Sequence, residues 1–313
     1  MMKIVNLYRV ETVAEWHAPA VFVPPDCGHI ADKYIGQIAL TVRFARASTE
    51  THPLKCGLHA TEFTMSQFIK PSLARYAAIH NFDIPRHLGT RYDWQGTFLP
   101  EPGNTVVCHL VNGSASQRAV IEVRNRMLSM PDSGKLTFTP VSSLHMTLFQ
   151  GIIEYRRALP YWPLDVPLNT GIDEMTGLYL DRLRQFESRG SFQIKVIDVT
   201  PVGLTVSGAT SEDDAVIKKW RDALAVPFGY RHPDHDAYVF HVTFAYPVDW
   251  LDDDRLPAWQ KLLDECLLYL ERTAPIIEIQ PPAFCSFKDM NHFEELLVLG
   301  NSHHEASAWS MSK

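Results

Sequence analysis

Two stretches of the 313-residue sequence share one pattern, SSLHMTLFQG (142–151) and YVFHVTFAYP (238–247). In each stretch a histidine and a threonine stand two residues apart, with apolar residues before, between and after them. These residues are His145 and Thr147 in the first stretch and His241 and Thr243 in the second. In a β-strand, residues i and i+2 project from the same face. Each stretch is therefore expected to form a half-buried strand that presents an imidazole and a hydroxyl group together.

A third His-x-Thr triplet, His59-Ala60-Thr61, lacks these apolar surroundings. Because the chain has 14 histidines among 313 residues, about one such triplet is expected by chance from composition. Glu62 stands where the third apolar residue of the pattern should be. We therefore interpret this triplet as a coincidence and the other two as a pair.

Strand and helix patterns alternate from about residue 104 onward, on both sides of a connector at 158–169 that contains three prolines. This connector is expected to cross the surface. Periodicity predicts helices at 114–128, 170–186, 211–225 (with Ser211 as N-cap) and 254–273. It predicts strands at 105–111, 135–140, 142–150, 237–246, 276–280 and 294–300, and a hairpin at 192–209. Each side has one His-x-Thr strand, which favours two similar lobes that meet along a cleft, with helices on the outer faces.

The first part of the chain does not follow this scheme. Residues 1–80 show no clear period, and Met65 opens a stretch that would serve as an N-terminus. We interpret 1–80 as an extension of unknown role, either a dispensable arm or the product of a misassigned start. The bilobal domain is predicted at 81–300 and a C-terminal tail at 301–313.

Composition limits the partners of the protein. The formal net charge of −7 argues against binding of long nucleic acid, which depends on clusters of Lys and Arg, but is compatible with a small phosphorylated ligand. No apolar run is long enough for a membrane span, and charged residues near the start disfavour a signal peptide. The five cysteines form no C-x-x-C pair, so reduced thiols are expected. We predict a cytoplasmic monomer.

The paired motifs have the chemistry of acid–base catalysis. Histidine, with an ordinary pKa of about 6.5, can act as a base in one copy and as an acid in the other near neutral pH. Two imidazoles on opposite sides of a phosphodiester could remove a proton from water and give one to the departing oxygen. The threonine hydroxyls could donate hydrogen bonds to the non-bridging oxygens. This division of roles needs no metal, and predicts a bell-shaped rate profile around neutrality.

The repeated His-x-Thr-apolar strand, with about a hundred residues between its copies, resembles the signature of the 2H (two-histidine) phosphoesterase superfamily. That superfamily includes 2′,3′-cyclic nucleotide phosphodiesterases and the so-called 2′-5′ RNA ligases. The resemblance covers about residues 80–300. Within the superfamily, the sequence is similar to an uncharacterised branch found in bacteria and fungi. The stretches that carry it are 87–110, 142–157, 229–254 and 281–300.

The resemblance implies an α+β bilobal fold in which two antiparallel-rich sheets face a central cleft. It assigns catalytic roles to His145, Thr147, His241 and Thr243, and it implies a reaction that uses no cofactor. It also places an aromatic shortly after the second motif, where Tyr246 stands, and Gln150 occupies the equivalent place in the first lobe. Three further residues are candidates for the cleft lining: His109, Phe149, which shares the face of His145 by a period of two, and Phe284. Core packing is the default interpretation for such aromatic side chains.

We therefore expect a metal-independent phosphodiesterase that hydrolyses a 2′,3′-cyclic nucleotide or the cyclic-phosphate end of an RNA. Three alternatives stay open. RNA ligation of the 2′-5′ type would use the same groups in reverse. A metal-dependent hydrolase would use His232, His235 and Asp236 as ligands, and a non-catalytic module would hold a nucleotide or RNA end in the same cleft. Arg156 could bind phosphate, although a solvated surface position is the favoured interpretation.

Overall fold

The computed structural model describes residues 69–300, and the chain divides into two units, Met1–Phe63 and Thr64–Lys313. The described residues all belong to the second unit, and the triplet at His59 lies outside them. Within 69–300 the helices are α1 (Pro71–Ala74), α2 (Ala115–Leu128), α3 (Ile172–Leu183), α4 (Ser211–Phe228) and α5 (Leu256–Thr273). The strands are β1 (Gly103–His109), β2 (Leu136–Phe138), β3 (His145–Ile153), β4 (Ile194–Thr200), β5 (Gly203–Gly208), β6 (Phe240–Thr243), β7 (Ala245–Pro247), β8 (Ala283–Phe287) and β9 (Phe293–Val298).

The predicted α+β fold is confirmed. Seven strands form one antiparallel sheet in the order β4-β5-β6-β3-β1-β8-β9, and β2 and β7 form a second, small sheet. The two motif strands, β3 and β6, are neighbours in the large sheet and are paired through Met146 and Val242 alone. The sheets of the two lobes are thus joined edge to edge at the motif strands.

Helices cover one face of the large sheet. The side chains of Met146 and Val242 point to this face and are fully buried. Trp220 of α4 and Trp259 of α5 belong to the same core. Because side chains alternate along a strand, the motif histidines and threonines project from the opposite face.

The N-cap of α4 differs by one residue from the prediction. Thr210, not Ser211, accepts a hydrogen bond from the backbone N–H of Asp213, whose carboxylate in turn accepts one from the backbone N–H of Thr210. This reciprocal capping box satisfies two donors. A cap at Ser211 would need Asp214 in the same role, but the carboxylate of Asp214 accepts a hydrogen bond from the backbone N–H of Gly208 instead.

The boundary predicted at residue 80 lies too late in the chain. Lys70 forms an ion pair with Asp264 of α5. Leu73 and Ala77 are buried in the same core as the large sheet. Residues 69–80 are therefore part of the packed unit, because their apolar side chains complete its core.

The predicted strand at 276–280 is also corrected. Ile277 and Ile279 form only isolated backbone pairs, with Ile194 and Leu110 respectively. The strand proper is β8, which begins at Ala283, after Pro281 and Pro282. Proline has no N–H for a ladder, so continuous pairing starts only beyond the two prolines.

The helices within residues 69–300 include none that is both long enough and apolar enough to cross a membrane.

Candidate active site

The two His-x-Thr pairs lie together on the exposed face of the sheet. Since Met146 pairs with Val242 in antiparallel register, His145 is placed across from Thr243 and Thr147 across from His241. The four side chains line one recess of about 100 Å³. The two motifs thus form a local twofold arrangement, with each imidazole beside the hydroxyl of the other strand.

Both histidines have the same tautomer. Nδ1 of His145 lies 2.7 Å from the carbonyl oxygen of Ser143, and Nδ1 of His241 lies 3.2 Å from that of Val239. A carbonyl oxygen only accepts, so Nδ1 must carry the hydrogen in each ring and donate it. Nε2 is then left with its lone pair, available to take a proton from a ligand.

The two histidines differ in their surroundings. His145 is half-buried against Phe293, whose ring centroid is 4.2 Å away, and His109 lies 5.9 Å away. Burial, aided by the nearby His109 and His241, lowers the pKa of His145 to about 3 despite the bond to Ser143. His241 is exposed at the cleft surface, yet the surrounding protein displaces enough water to lower its pKa as well. Of the two, His241 is the easier to protonate, because it meets more solvent and fewer like charges.

The threonine hydroxyls are available to a ligand. Within the described part of the chain, neither Thr147 nor Thr243 uses its side-chain hydroxyl in a hydrogen bond with protein, and both line the recess. An unpaired hydroxyl in a recess can donate to an anionic oxygen without first breaking another bond.

Phe149 does not line the cleft, and the prediction from a period of two is wrong. On β1, Val107 pairs with Thr147 and Val106 with Phe149, so Leu148 is an extra residue on β3. Such a β-bulge shifts the alternation by one position. Leu148 and Phe149 are both fully buried, and the next residue to face the cleft is Gln150.

Gln150 and Tyr246 do line the recess. The Tyr246 ring stacks on Tyr92 at a centroid distance of 5.6 Å, and Cζ of Arg91 lies 5.2 Å from the Tyr246 ring centre. Burial raises the pKa of Tyr246, so its phenol stays protonated as a hydrogen-bond donor. Arg91 also lines the recess and was missed by the sequence analysis, since it stands 54 residues before His145 in an irregular loop.

The other two predicted lining residues have different places. Phe284 is fully buried in the core, because its position on β8 faces the helices, and that prediction is wrong. His109 pairs with His145 across β1 and β3 but is not among the residues that line the recess. Its contribution to the site is the like charge that disfavours protonation of His145.

The residues of the metal-site alternative do not converge. Nε2 of His232 contacts the carbonyl oxygen of Gln150 at 2.7 Å. Nε2 of His235 contacts Asp222 at 3.0 Å, and Asp236 pairs with Lys218 and Arg231. Among residues 69–300 no group of three or more His, Cys, Asp or Glu side chains is arranged to hold a metal ion. Each of the three residues has a structural partner of its own.

A larger groove of about 550 Å³ continues from the recess beside His241. Its lining includes Tyr76, Val202 and Tyr238, and it shares Gln150 and Tyr246 with the recess. The recess is of a size for a phosphate group, and the groove has the volume for the organic part of a small ligand. Tyr76 belongs to residues 1–80, the segment that the sequence pattern presents as an extension of unknown role.

Part of the chain is similar to a 2H phosphoesterase-like domain. A family model described as 2H-phosphodiest, a domain of unknown function (DUF1868), matches residues 91–205. A solved structure, that of the conserved protein of unknown function ATU0111 from Agrobacterium tumefaciens str. C58, is 53% identical, with a TM-score of 0.73. The match covers 74% of this chain and 100% of the other. The chain belongs to the family of this Agrobacterium protein. The comparison with curated proteins gives no match.

Proposed function

We propose that the protein is a phosphodiesterase that hydrolyses a small cyclic phosphate, such as a 2′,3′-cyclic nucleotide or the cyclic-phosphate end of an RNA. The observation that carries this proposal is the pair of imidazoles with equivalent tautomers in one recess. Both imidazoles line the same small recess, together with the hydroxyl groups of Thr147 and Thr243. This is the set of groups that in-line attack of water on a phosphodiester requires.

The asymmetry between the histidines supports an assignment of roles. His145, with a pKa of about 3, is neutral over the whole working range and acts as the base. His241 is the acid, because an anionic phosphate beside it favours its protonated form. The repulsion between two imidazolium groups keeps the second proton off His145.

The reaction then balances without a further reagent. Nε2 of His145 takes a proton from water as the water oxygen bonds to phosphorus. The bond from phosphorus to one ribose oxygen breaks, and its electron pair stays on that oxygen, which takes the proton from Nε2 of His241. Thr147 and Thr243 donate hydrogen bonds to the non-bridging oxygens, where negative charge increases. Proton exchange with solvent restores both imidazoles.

The test is turnover of adenosine 2′,3′-cyclic phosphate and of a cyclic-phosphate-ended oligonucleotide, with and without EDTA. We expect activity that survives EDTA and falls by about 10²–10⁴-fold in His145→Ala and in His241→Ala. His80→Ala is the matched control, since His80 is exposed and lies outside the recess. Retained activity in either motif variant would overturn the proposal. Tight binding of nucleotides without any turnover would identify a binding module instead.

A further inference from the structure

The two motif strands separate beyond the pair that joins them. Met146 and Val242 form the single pair between β3 and β6. In antiparallel register the pairing would reach Leu148 and Phe240 two positions further on, but no pair is formed there. The strands therefore leave a fork between Leu148 of β3 and Phe240 of β6, which begins beside His241.

The opposite end of the seam is closed by backbone pairing. β2 precedes β3 in the chain and β7 follows β6, and these two short strands pair with each other. The backbone N–H of Thr139 also donates to the carbonyl oxygen of Phe244 at 2.8 Å. These bonds hold the motif strands together at the end where His145 lies across from Thr243. At the fork, a connection of another kind is needed.

Arg221 of α4 supplies a connection at the fork. Its Nη1 donates to the carbonyl oxygen of Leu148 at 2.7 Å. Its Nη2 donates to that of His235 at 3.3 Å, in the segment that leads into β6. Its Cζ lies 4.3 Å from the ring centre of Tyr238 and 5.6 Å from that of Phe240. One guanidinium thus contacts β3 on one side and the segment that leads into β6 on the other.

Packing alone does not account for an arginine at this position. Arg221 is 3% exposed, forms no ion pair within the described part of the chain, and has its Nε buried there without a partner. Desolvation of a charge without a carboxylate partner costs free energy, and an apolar side chain of similar volume would fill the same space without that cost. What the guanidinium adds is a planar group with donors in a fixed geometry, which holds two backbone carbonyl groups at a set separation.

We propose that Arg221 is a positioning residue, which holds β3 and β6 at the separation that brings both imidazoles to one phosphate. Arg221 lines neither the recess nor the larger groove, so it acts through the strands and not on the ligand. A reaction that needs both imidazoles is more sensitive to their spacing than one that needs a single imidazole. This inference rests on the proposed function for the use of the spacing, whereas the spacing itself can be measured without a substrate.

The first experiment compares turnover of two substrates. Adenosine 2′,3′-cyclic phosphate has a leaving oxygen that needs a proton, and the p-nitrophenyl ester of thymidine 5′-phosphate has a leaving group that needs none. The variants are Arg221→Met, which removes the donors, and Arg221→Lys, which keeps the charge and a donor. Arg182→Met is the matched control, because Arg182 of α3 also donates to a backbone carbonyl, that of Pro227, and lies outside the recess and the groove. Rates are corrected for the folded fraction, which urea denaturation measures.

In Arg221→Met we expect kcat to fall about 10–100-fold on the cyclic phosphate and less than about threefold on the p-nitrophenyl ester, because only the first reaction needs both rings aligned. Arg221→Lys should lose less, with the larger loss again on the cyclic phosphate. Arg182→Met should change both rates equally. Equal losses on the two substrates in both Arg221 variants, or no loss in either, would overturn the positioning role.

The second experiment measures the spacing directly, in crystal structures of the parent and of Arg221→Lys without substrate. We expect the distance between the Nε2 atoms of His145 and His241 to change by more than about 0.5 Å, the tolerance within which catalytic groups must be held. An unchanged distance would overturn the proposal, whether or not either substrate is turned over. A changed distance in a protein whose parent form hydrolyses neither substrate would refute the proposed function and leave the role of Arg221 in the spacing supported.

Discussion

At the scale of single residues, the equal tautomers and unequal surroundings of His145 and His241 make their roles separable. A substrate whose leaving group is p-nitrophenolate needs no proton at that oxygen. On the p-nitrophenyl ester of thymidine 5′-phosphate, we expect His241→Ala to lose less than about tenfold in kcat, since its proton is no longer required. His145→Ala should still lose about 10²–10⁴-fold.

The comparison with adenosine 2′,3′-cyclic phosphate, on which both variants should fail, is the internal control for this experiment. If His145→Ala were the variant rescued by the activated leaving group, the roles would have to be exchanged. Equal losses for both variants on both substrates would show that neither imidazole acts mainly as the acid.

The lowered pKa values also move the expected pH profile. The base must be neutral, so activity rises with pH through the pKa of His145, about 3. The acid must be protonated, so activity falls as pH rises through the pKa of His241, which lies below 6.5. For the free protein, kcat/KM should therefore peak on the acid side of 6.5, rather than around neutrality as the motifs alone predict.

In the complex the bound phosphate raises the pKa of His241, so the profile of kcat should extend to higher pH than that of kcat/KM. Initial rates across a range of pH, at low and at saturating substrate, give both curves. A maximum of kcat/KM above pH 7 would contradict the expected order of proton binding.

At the scale of elements, the close approach of β5 to β6 depends on Gly203. Its φ is 144°, and an added Cβ would lie 2.1 Å from the carbonyl oxygen of Val242. Gly203 pairs with Thr243, so Gly203→Ala should displace the second motif strand. We expect a loss of about 1–3 kcal/mol in the free energy of unfolding and reduced activity in the molecules that stay folded.

Urea denaturation measures the first effect and turnover the second. Gly134→Ala is the matched control, because an added Cβ there meets nothing within 4 Å, and a change within about 0.5 kcal/mol is expected. A Gly203→Ala variant as stable as the Gly134→Ala variant would show that β5 can move away from β6 without cost.

The motif strands also show how far the sequence could predict the site. Alternation of apolar and polar residues was sufficient to place His145, Thr147, His241 and Thr243 on one face, because each pair stands next to residues buried in the core. The alternation assigns Phe149 to the wrong face of the sheet. The β-bulge that moves Phe149 to the core depends on the pairing of β3 with β1 and cannot be recognised from the apolar–polar pattern of β3 itself.

Residues from other parts of the chain could not be predicted for a different reason. Arg91 and Tyr76 reach the cleft from irregular or short segments, and no period links them to the motifs. Their places follow from packing of the whole unit. The sequence pattern also leaves the acid and base roles open, since the burial of His145 by Phe293 is a contact between distant positions.

At the scale of the whole molecule, buried histidines couple stability to pH. Burial lowers the pKa of His87 and His232 to about 4, and that of His145 to about 3. In the unfolded chain each has its ordinary pKa of about 6.5. Between these values the unfolded chain binds more protons, so the free energy of unfolding should fall as pH drops from 6.5 towards 4.

One pKa unit is worth about 1.4 kcal/mol per group, so the loss should amount to several kcal/mol, reduced where solvent screens a ring. Urea denaturation at pH 7.5 and pH 4.5 measures it, and His87→Gln should flatten the dependence. A free energy of unfolding that is the same at both pH values would refute the coupling.

The single backbone pair between Met146 and Val242 has a mechanical consequence. Each imidazole is anchored within its own half of the large sheet, by the carbonyl two residues before it. Within the large sheet one residue pair joins the halves, and the pairing of β2 with β7 and the hydrogen bond from Arg221 to the carbonyl oxygen of Leu148 connect them further. A ligand that bridges the seam contacts both anchored rings at once, so in the proposed reaction any change in their spacing alters phosphate binding and the alignment of both proton transfers together.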